Sequence, residues 1–416
     1  MRTTEFCKRF IQGAQAMAAM VLVLWLQTAS GVTFNIEIDY MDSTSTGGHS
    51  HRPQPDEIAA VVQMFACRGI TLNAVVDQAI PHSDVLFRNP TNGNFFTYSG
   101  VTNSFGYLRS QYFNHAGQAG WHYCIFIHQY ASDTNQTVSG SSGLGDQPGT
   151  NFVVSLGAFT GQIGTPFDRA ATLAHEFGHN LGLTHGAVNA FQPNKPSIMS
   201  YFYQLTGVRS GSIAAGLSTV RTSLFKELDY SDGTMCGLNE TGLNEQFGSG
   251  MVSVDWDCNG IISGTVNENI DGTNSWCIST TTTRSVLPDV AEWSVIHDTT
   301  SAAFDKQVEP KEVSCITAEQ MQSYRKFLPI EPQPPVTSEP CVTAKMLYLI
   351  SGGTTPTGNG LCSNPYTTMG AAQAAATDGS HLFLLPGTYS LDSGPVVLNR
   401  PMTIFCNIGV AAVKPH

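Results

Sequence analysis

One stretch of eleven residues constrains the fold of this chain more than any other part of the sequence. Residues 175–185 have the sequence HEFGHNLGLTH. On a helix, His175 and His179 are four residues apart, so their side chains project from one face about one turn apart. Two imidazoles at that spacing can bind one tetrahedral zinc ion. The spacing therefore predicts a helix that carries two zinc ligands.

The residues beside these histidines complete the pattern of a zinc hydrolase. Gly182 tolerates the left-handed conformation that ends a helix, so the chain can turn and bring back His185 as a third ligand. Zinc held by three neutral imidazoles keeps an open position and lowers the pKa of bound water from about 15.7 to about 7. Glu176, next to the first ligand, is predicted to be the general base. The alternative is a helix with ordinary surface or core histidines. It is disfavoured because all five fixed positions of the motif, three His, one Glu and one Gly, rarely occur together by chance.

The same residues resemble the metzincin metallopeptidases, in which HExxHxxGxxH is followed by a Met-turn. Residues 197–201, with the sequence SIMSY, are most similar to the turn of astacin-like and serralysin-like members. The resemblance implies that Met199 forms an apolar floor beneath the zinc histidines. It also implies that Tyr201 is a fifth zinc ligand that swings away to stabilise the oxyanion. Without the resemblance, both residues are ordinary core residues.

The resemblance covers roughly residues 34–305 and implies an α+β fold, a twisted mixed sheet with an active-site helix. Alternation and helical spacing predict elements that suit it. We expect strands at 34–40, 70–76, 121–128 and 152–156, and helices at 55–67 and 167–181. Residues 131–150, rich in Ser and Gly, are predicted to be a loop. In the family, the strand after that loop is the sheet edge to which an extended peptide adds, and residues 152–156 take that position.

Composition and the N-terminus favour an extracellular protein. The formal net charge is −12, which argues against nucleic acid or an anionic membrane as a partner. Residues 1–31 have basic residues, then an apolar stretch at 14–26, then small residues, the layout of a secretory signal peptide. A retained anchor is the alternative, although the apolar stretch is shorter than the ~20 residues of a membrane span. We therefore predict a secreted protein without a membrane span after signal cleavage.

The cysteines agree with an oxidising compartment. Nine remain after the signal peptide, and none forms paired CxxC knuckles, so disulfides are favoured. The number is odd, which leaves one thiol free, paired between chains or without a partner in this sequence. The nine are Cys67, Cys124, Cys236, Cys258, Cys277, Cys315, Cys341, Cys362 and Cys406.

Two further groups of polar residues invite metal assignments. Asp255, Asp257 and Asn259 place oxygen atoms at alternate positions before a glycine, as calcium loops do. The twelfth position is Val rather than Glu, so an Asx-rich turn without an ion is the alternative. His49 and His51 lie in a Gly-rich loop, and a pair like this is predicted to be solvated.

The C-terminal part differs in character from the rest. Residues 306–340 include the Pro-rich sequence IEPQPPVTSEP and are predicted to be a linker. Residues 341–416 resemble the opening rung of right-handed parallel β-helix (pectin-lyase-like) domains, on the sequences LLPGTY and RPMTI. Such rungs need stacked neighbours to bury their faces. The predicted organisation is a signal peptide (1–31), a metzincin-like catalytic domain (32–305), a linker (306–340) and a small, partial β-helix-like module (341–416).

These observations predict a secreted zinc metalloendopeptidase that acts on proteins or peptides. A gluzincin is disfavoured because it leaves Gly182 and His185 unexplained. The alternative of another class is a non-catalytic, zinc-containing extracellular protein whose C-terminal module contacts carbohydrate. The first strand follows the predicted signal peptide directly, with no cysteine between them. We therefore expect no cysteine-switch prosegment and activity without further N-terminal processing.

Overall fold

The computed structural model describes fifteen stretches of the chain. The predicted signal peptide and the Pro-rich part of the predicted linker lie outside them. No helix in the described stretches is long and apolar enough to cross a membrane. The described residues are 32–186, 190–208, 228–246, 248, 254–262, 264–271, 283–299, 311–325, 346–349, 358, 365–376, 380–384, 388–390, 402–405 and 412–414.

Strands and helices are mixed along the chain. The strands are β1 (Thr33–Asp42), β2 (Thr71–Pro81), β3 (Val85–Leu86), β4 (Trp121–Ile127), β5 (Gln129–Tyr130), β6 (Gly143–Gln147), β7 (Asn151–Ser155), β8 (Leu238–Asn239), β9 (Leu243–Asn244), β10 (Thr265–Val266), β11 (Val286–Leu287), β12 (Lys311–Ser314), β13 (Met346–Leu349), β14 (Ser380–Leu384), β15 (Thr388–Ser390), β16 (Met402–Phe405) and β17 (Ala412–Lys414). The helices are α1 (Pro55–Ala66), α2 (Phe105–Tyr112), α3 (Pro166–Asn180), α4 (Glu292–Thr299), α5 (Ala318–Arg325) and α6 (Met369–Ala375).

A six-stranded mixed sheet organises the N-terminal part, as the α+β prediction requires. Its strand order is β12-β6-β7-β4-β1-β2. The pairs among β2, β1, β4 and β7 are parallel, whereas β6 is antiparallel to β7 and β12 is antiparallel to β6. Alternate residues of β4 point to opposite faces of the sheet: Cys124 belongs to the core shared with α1 and α3, and Ile125 to the core shared with α2. The sheet therefore has an apolar core on each face.

The helix that carries the zinc-ligand motif begins and ends within one residue of its predicted bounds. Pro166 occupies the first helical turn, and Thr165 is the N-cap. The Thr165 hydroxyl accepts a hydrogen bond from the Asp168 N–H at 3.1 Å, and the Asp168 carboxylate accepts one from the Thr165 N–H at 2.9 Å. This capping box satisfies two N–H groups that a helix start leaves unpaired. Gly182, with φ of +90°, turns the chain after the helix, as predicted.

The prediction for the sheet edge was wrong. β7, which contains most of the predicted edge strand, lies between β4 and β6. β6 forms from residues that we predicted to be a loop. Its sequence, GLGDQ, contains two glycines and little apolar alternation, so local propensity gives no strand signal. Pairing with β7 on one side and β12 on the other decides its conformation.

The folded unit also extends past the predicted boundary at residue 305. β12 lies within the predicted linker, yet it pairs along its whole length with β6. α5 follows directly, and its Met321 is buried in the main core. The main sheet is therefore completed by a strand more than 150 residues after β7.

Parallel pairing characterises the strands of the C-terminal part. β14 pairs in parallel with both β13 and β16, and β15 pairs in parallel with β17. Leu349, Leu382, Leu384 and two alanines of α6 and its C-cap form a small core beside the first of these sheets. Three parallel strands, β13, β14 and β16, thus pair side by side where the sequence predicted a single rung. The resemblance to a β-helix stays a prediction.

Candidate metal centre and active site

The three predicted zinc ligands converge in the structure. His175 and His179 lie on α3 and are fully buried, and His185 returns from the turn after Gly182. The Nε2 atom of His185 lies 3.1 Å from that of His175 and 2.9 Å from that of His179. Tetrahedral zinc with bonds of about 2.0–2.1 Å places its nitrogen ligands roughly 3.3 Å apart. The three nitrogens therefore surround a space of the right size for one ion.

The hydrogen bonds of the rings show that this space suits a cation. The Nδ1 atom of His175 lies 2.7 Å from the Ile198 carbonyl oxygen, and that of His179 lies 2.8 Å from the Leu183 carbonyl oxygen. Because a carbonyl only accepts, Nδ1 carries the proton in both rings and Nε2 presents a lone pair. His185 Nε2 faces both lone pairs and carries at most one N–H, so a cation between the three nitrogens accounts for both contacts at once. The residues present thus fit the predicted zinc ion.

Burial keeps these ligands in the neutral form that binds metal. It lowers the pKa of His179 to about 4 and holds the pKa values of His175 and His185 well below their ordinary value. For His185 the two neighbouring imidazoles lower the pKa further. At neutral pH the three rings need lose no proton before an ion binds.

Glu176 lies beside this centre, where the sequence predicted the general base. Its side chain is fully buried, and burial raises the pKa of its carboxyl well above the ordinary value. The Oε1 atom accepts a hydrogen bond from the Cys315 thiol, and Oε2 has no hydrogen-bond partner among the described residues. A buried carboxylate with one free oxygen is suited to taking a proton from a bound molecule.

Two glycines of β6 make room for this carboxylate. A Cβ atom at Gly143 would lie 2.1 Å from Glu176 Oε1 and 2.7 Å from the Val153 carbonyl oxygen. A Cβ atom at Gly145 would lie 3.0 Å from Glu176 Oε2. These glycines, which gave β6 no strand signal in the sequence, are thus the positions at which α3 approaches the sheet closely. Their signal was an alternating Gly-x-Gly, which we interpreted as a loop.

The predicted Met-turn lies against the same helix. Met199 is fully buried, and a Cβ atom at Gly178 would lie 2.6 Å from its Sδ atom. Ile198, the residue before it, supplies the carbonyl that holds the His175 ring. The structure therefore places Met199 against the helix that carries His175 and His179, and its role as a floor beneath the zinc histidines stays a prediction.

Tyr201 lies beside the three histidines as well. Its ring centroid is 4.5 Å from that of His185 and 6.2 Å from that of His175. Its hydroxyl donates a hydrogen bond of 2.5 Å to the backbone carbonyl of Ser314. A hydroxyl at this position can donate to a carbonyl oxygen next to the metal centre. The role of Tyr201 as a fifth zinc ligand stays a prediction.

Lys195 positions the third ligand and was missed in the sequence. Its ammonium donates to the carbonyl oxygens of Thr184, at 2.6 Å, and His185, at 3.2 Å. It also forms an ion pair of 2.5 Å with Glu292, and each of the two side chains is only 2% exposed. A buried ammonium needs such partners because isolated buried charge is costly. The pair joins the loop of His185 to α4.

Cys315 is the second residue that the sequence analysis missed. It follows β12 and is buried, and its Sγ atom and the ring nitrogens of the three histidines all lie within 4.8 Å of one another. We predicted an open fourth position at the zinc and no cysteine-switch prosegment; Cys315 lies instead in the predicted linker, directly after β12, where no local pattern marks it as a ligand. Cys315 and Cys124 are free and buried. The pairing of the other cysteines stays a prediction.

The predicted calcium loop forms a compact turn. Asp255 accepts hydrogen bonds from the N–H groups of Asn259, at 3.1 Å, and Gly260, at 2.8 Å. The Asn259 side chain donates to Asp257 at 2.7 Å. Asp255, Asp257 and Glu245 together form a group that could hold a metal ion. Both alternatives thus remain, and calcium stays a prediction.

The prediction that His49 and His51 are solvated was wrong. His51 is only 3% exposed, and the Nε2 atoms of the two rings lie 3.0 Å apart. His82 and His128, which are distant in sequence, complete a group of four rings. Neither of the latter two has a neighbouring histidine in the sequence, so only the fold brings them together.

Comparison with known proteins gives no independent assignment. No protein-family model matches the chain, and no curated protein is significantly similar to it. What is established of the site is therefore its geometry: groups rich in histidine that could hold metal ions, on a mixed α+β scaffold.

Proposed function

We propose that this chain is a secreted zinc metalloendopeptidase of the metzincin type. The single observation that carries the proposal is the convergence of three Nε2 atoms beside a buried carboxylate. His175, His179 and His185 would hold the zinc ion, and Glu176 lies next to them. A bound zinc ion would supply a Lewis acid at this point.

The surrounding residues have roles that fit peptide hydrolysis. Glu176 takes a proton from the attacking water and delivers it to the leaving amine. Tyr201 donates its hydroxyl hydrogen to the oxygen of the reacting carbonyl, where negative charge develops. Met199 packs beneath the helix, and the Ile198 carbonyl fixes the orientation of the His175 ring. The chain thus provides a base, a donor and a rigid ligand set.

The neighbourhood of β6 supports a peptide as the substrate. β12 pairs with β6 as an extended antiparallel strand. The backbone carbonyl of Ser314, the last residue of β12, accepts the hydrogen bond from the Tyr201 hydroxyl. A substrate peptide that adds to β6 in the same way would bring a carbonyl to the same donor. Backbone pairing of this kind recognises an extended chain with little regard to its side chains.

The test is the substitution Glu176→Gln, which removes the base and keeps the size of the side chain. We expect zinc content equal to that of the unmodified protein and hydrolysis of an unstructured protein, such as casein, reduced by several orders of magnitude. The test is run with and without the substitution Cys315→Ala. Equal hydrolysis by the Gln variant and its parent in the Cys315→Ala background would contradict the proposed mechanism.

A second candidate function has its own supporting observation. Three histidines and Cys315 form a closed set of four ligands, and closed sets are typical of structural zinc. In this case the chain is a non-catalytic, zinc-containing extracellular protein whose C-terminal module contacts carbohydrate. Buried Glu176 argues against it, because structural zinc needs no such carboxylate. Glu176-dependent hydrolysis after Cys315→Ala decides between the two functions.

A further inference from the structure

Four histidines outside the candidate active site meet at one edge of the main sheet. His49 and His51 follow β1, His82 follows β2 and His128 follows β4. These three strands are adjacent and parallel, in the order β2-β1-β4. The carboxyl ends of adjacent parallel strands lie at the same edge, so the loops after them come together.

The ring nitrogens of these residues surround a common point. His49 Nε2 lies 3.0 Å from His51 Nε2 and 3.3 Å from His128 Nδ1. His51 Nε2 lies 3.3 Å from His82 Nε2. Zinc bonds of about 2.0–2.1 Å in a tetrahedron again imply nitrogens roughly 3.3 Å apart. All four ligand atoms lie within 4.8 Å of one another.

Hydrogen bonds among the rings do not account for this arrangement. A neutral imidazole has one N–H, whereas His49 Nε2 faces two other nitrogens and His51 Nε2 also faces two. Burial, followed by the three neighbouring imidazoles, lowers the pKa of His51 to about 3, so protonation does not relieve the contact at neutral pH. A central cation would satisfy every nitrogen at once.

We propose that His49, His51, His82 and His128 bind a second zinc ion with a structural role. Four imidazoles close the coordination sphere, and zinc prefers the tetrahedral geometry that the four nitrogens offer. The ion would link the loops after three neighbouring strands. This site is separate from the first. His122, near the start of β4, contacts Asn180, which follows His179 at the end of α3. His128 lies six residues after His122, which corresponds to roughly 20 Å along a strand.

The test is the zinc content of the full chain, measured by mass spectrometry after dialysis. We expect two zinc ions per chain in the unmodified protein and one in His51→Ala. The partly exposed His82→Ala supplies a second variant that perturbs the core less, and it should also retain one. The matched control His179→Ala/His185→Ala should lose the other ion and keep this one. Unchanged zinc content in the properly folded His51 and His82 variants would overturn the proposal.

An independent observation concerns residues 311–316, which we name the blocking segment. Its strand part pairs with β6 from Lys311 opposite Gln147 to Ser314 opposite Leu144. Beyond the strand, the Ser141 hydroxyl donates to the Cys315 carbonyl at 2.8 Å and accepts from the Cys315 N–H at 2.9 Å. The segment therefore occupies the outer edge of β6 over its whole length.

The blocking segment is also anchored away from the metal centre. Glu312 forms an ion pair with Arg88 and accepts a hydrogen bond of 2.5 Å from the Phe95 N–H. Both side chains of the ion pair are largely buried, at 11% and 16% exposure, so the pair is less screened than a surface pair. These contacts fix the strand on the side opposite to the thiol.

At the metal centre the segment makes the contacts that a substrate would need. Tyr201 donates to the Ser314 carbonyl, and the Cys315 thiol lies against Glu176 and the three zinc histidines. Resting on the function proposed above, we infer that the blocking segment inhibits the peptidase from within the chain. Cys315 would supply the fourth zinc ligand after its thiol proton passes to the Glu176 carboxylate, which already accepts its hydrogen bond. The strand covers the edge that a substrate would pair with.

The inference is tested on the full chain with two measurements. After cobalt(II) replaces zinc, a thiolate-to-cobalt absorption band should appear in the unmodified protein and disappear in Cys315→Ala. The band should persist in Cys124→Ala, which removes the second free thiol found among the described residues. Glu176-dependent kcat/KM for a peptide should rise at least tenfold in Cys315→Ala. It should rise severalfold in Glu312→Gln, which weakens the anchor, and stay constant in the exposed control Glu319→Gln.

Each outcome separates this inference from the proposed function. A cobalt spectrum that does not depend on Cys315 overturns the inference. Equal Glu176-dependent activity in the unmodified, Cys315→Ala and Glu312→Gln proteins also overturns it, while the peptidase assignment stands. A Cys315-dependent cobalt band without Glu176-dependent activity in any variant overturns the peptidase assignment and inhibition together, and leaves a closed structural zinc site.

Discussion

At the scale of single residues, two glycines decide where the candidate base lies. Gly143 and Gly145 alternate along β6 on the side that faces α3, and a side chain at either would meet the Glu176 carboxylate. The backbone of β6 lines the space around this carboxylate. A side chain added at either glycine would displace the Glu176 carboxylate without changing the charge of the site. The glycines are therefore positioning residues for Glu176.

We expect Gly143→Ala to lower kcat/KM at least tenfold in a Cys315→Ala background and to destabilise the fold by about 1–3 kcal/mol, the usual cost of overpacking. The added Cβ would lie 2.7 Å from the Val153 carbonyl, which the sheet holds in place. Initial rates and urea denaturation measure the two effects. Gly140→Ala is the control, because its Cβ would make only an ordinary contact of 3.9 Å with Thr317. Equal effects of both substitutions would refute a specific role for Gly143.

Tyr201 supports a prediction on catalysis. Removing its hydroxyl by Tyr201→Phe should reduce kcat and leave KM nearly unchanged, since the hydrogen bond to the reacting oxygen strengthens in the transition state. Steady-state kinetics in the Cys315→Ala background measure both constants without the Cys315 thiol at the metal centre. A changed KM with normal kcat would show that Tyr201 acts in substrate binding instead.

At the scale of elements, a buried ion pair joins the His185 loop to α4. Lys195→Met leaves Glu292 buried without its partner, so we expect a loss of about 3–5 kcal/mol in the free energy of unfolding. Zinc should also dissociate faster, because the carbonyls of Thr184 and His185 lose their shared donor. Urea denaturation and zinc transfer to a coloured chelator measure the two changes.

The double variant Lys195→Met/Glu292→Gln separates these effects. Without a buried negative charge, part of the lost stability should return, whereas zinc release should stay fast. If the double variant releases zinc as slowly as the unmodified protein, the faster release reflects general destabilisation and Lys195 has no specific role in positioning the third ligand.

Elements with a strong local pattern were predictable and those without one were not. β1, β4 and α3 follow alternation, apolar runs and capping residues, and the structure confirms all three within a few residues. β6 and β12 carry weak signals. β6 is rich in glycine, and β12 has only four residues, KEVS, in a stretch that we interpreted as linker. Their pairing depends on contacts between residues more than 160 positions apart, which no local pattern contains.

At the scale of the whole molecule, metal binding should contribute to stability, because only the folded chain assembles the histidines. The Glu176→Gln variant, which would avoid self-cleavage by the proposed peptidase, is suited to the measurement. Free zinc at a thousand times Kd stabilises one site by about 4 kcal/mol, equivalent to roughly 10 °C in Tm for a domain of this size. We expect a chelator to lower Tm accordingly, with restoration by added zinc. An unchanged Tm after complete zinc removal would contradict metal-linked folding.

The sequence by itself determined the helix that carries the candidate metal ligands, the three histidines and the position of Glu176. These residues lie within eleven positions, where helical periodicity and a glycine turn fix their relative geometry. Only the tertiary structure decided that Cys315 lies at the same centre and that His82 and His128 join His49 and His51. The four histidines meet because three strands distant in sequence end at one edge of the sheet, and Cys315 reaches the centre because β12 pairs with β6. Sheet pairing joins segments regardless of their separation along the chain.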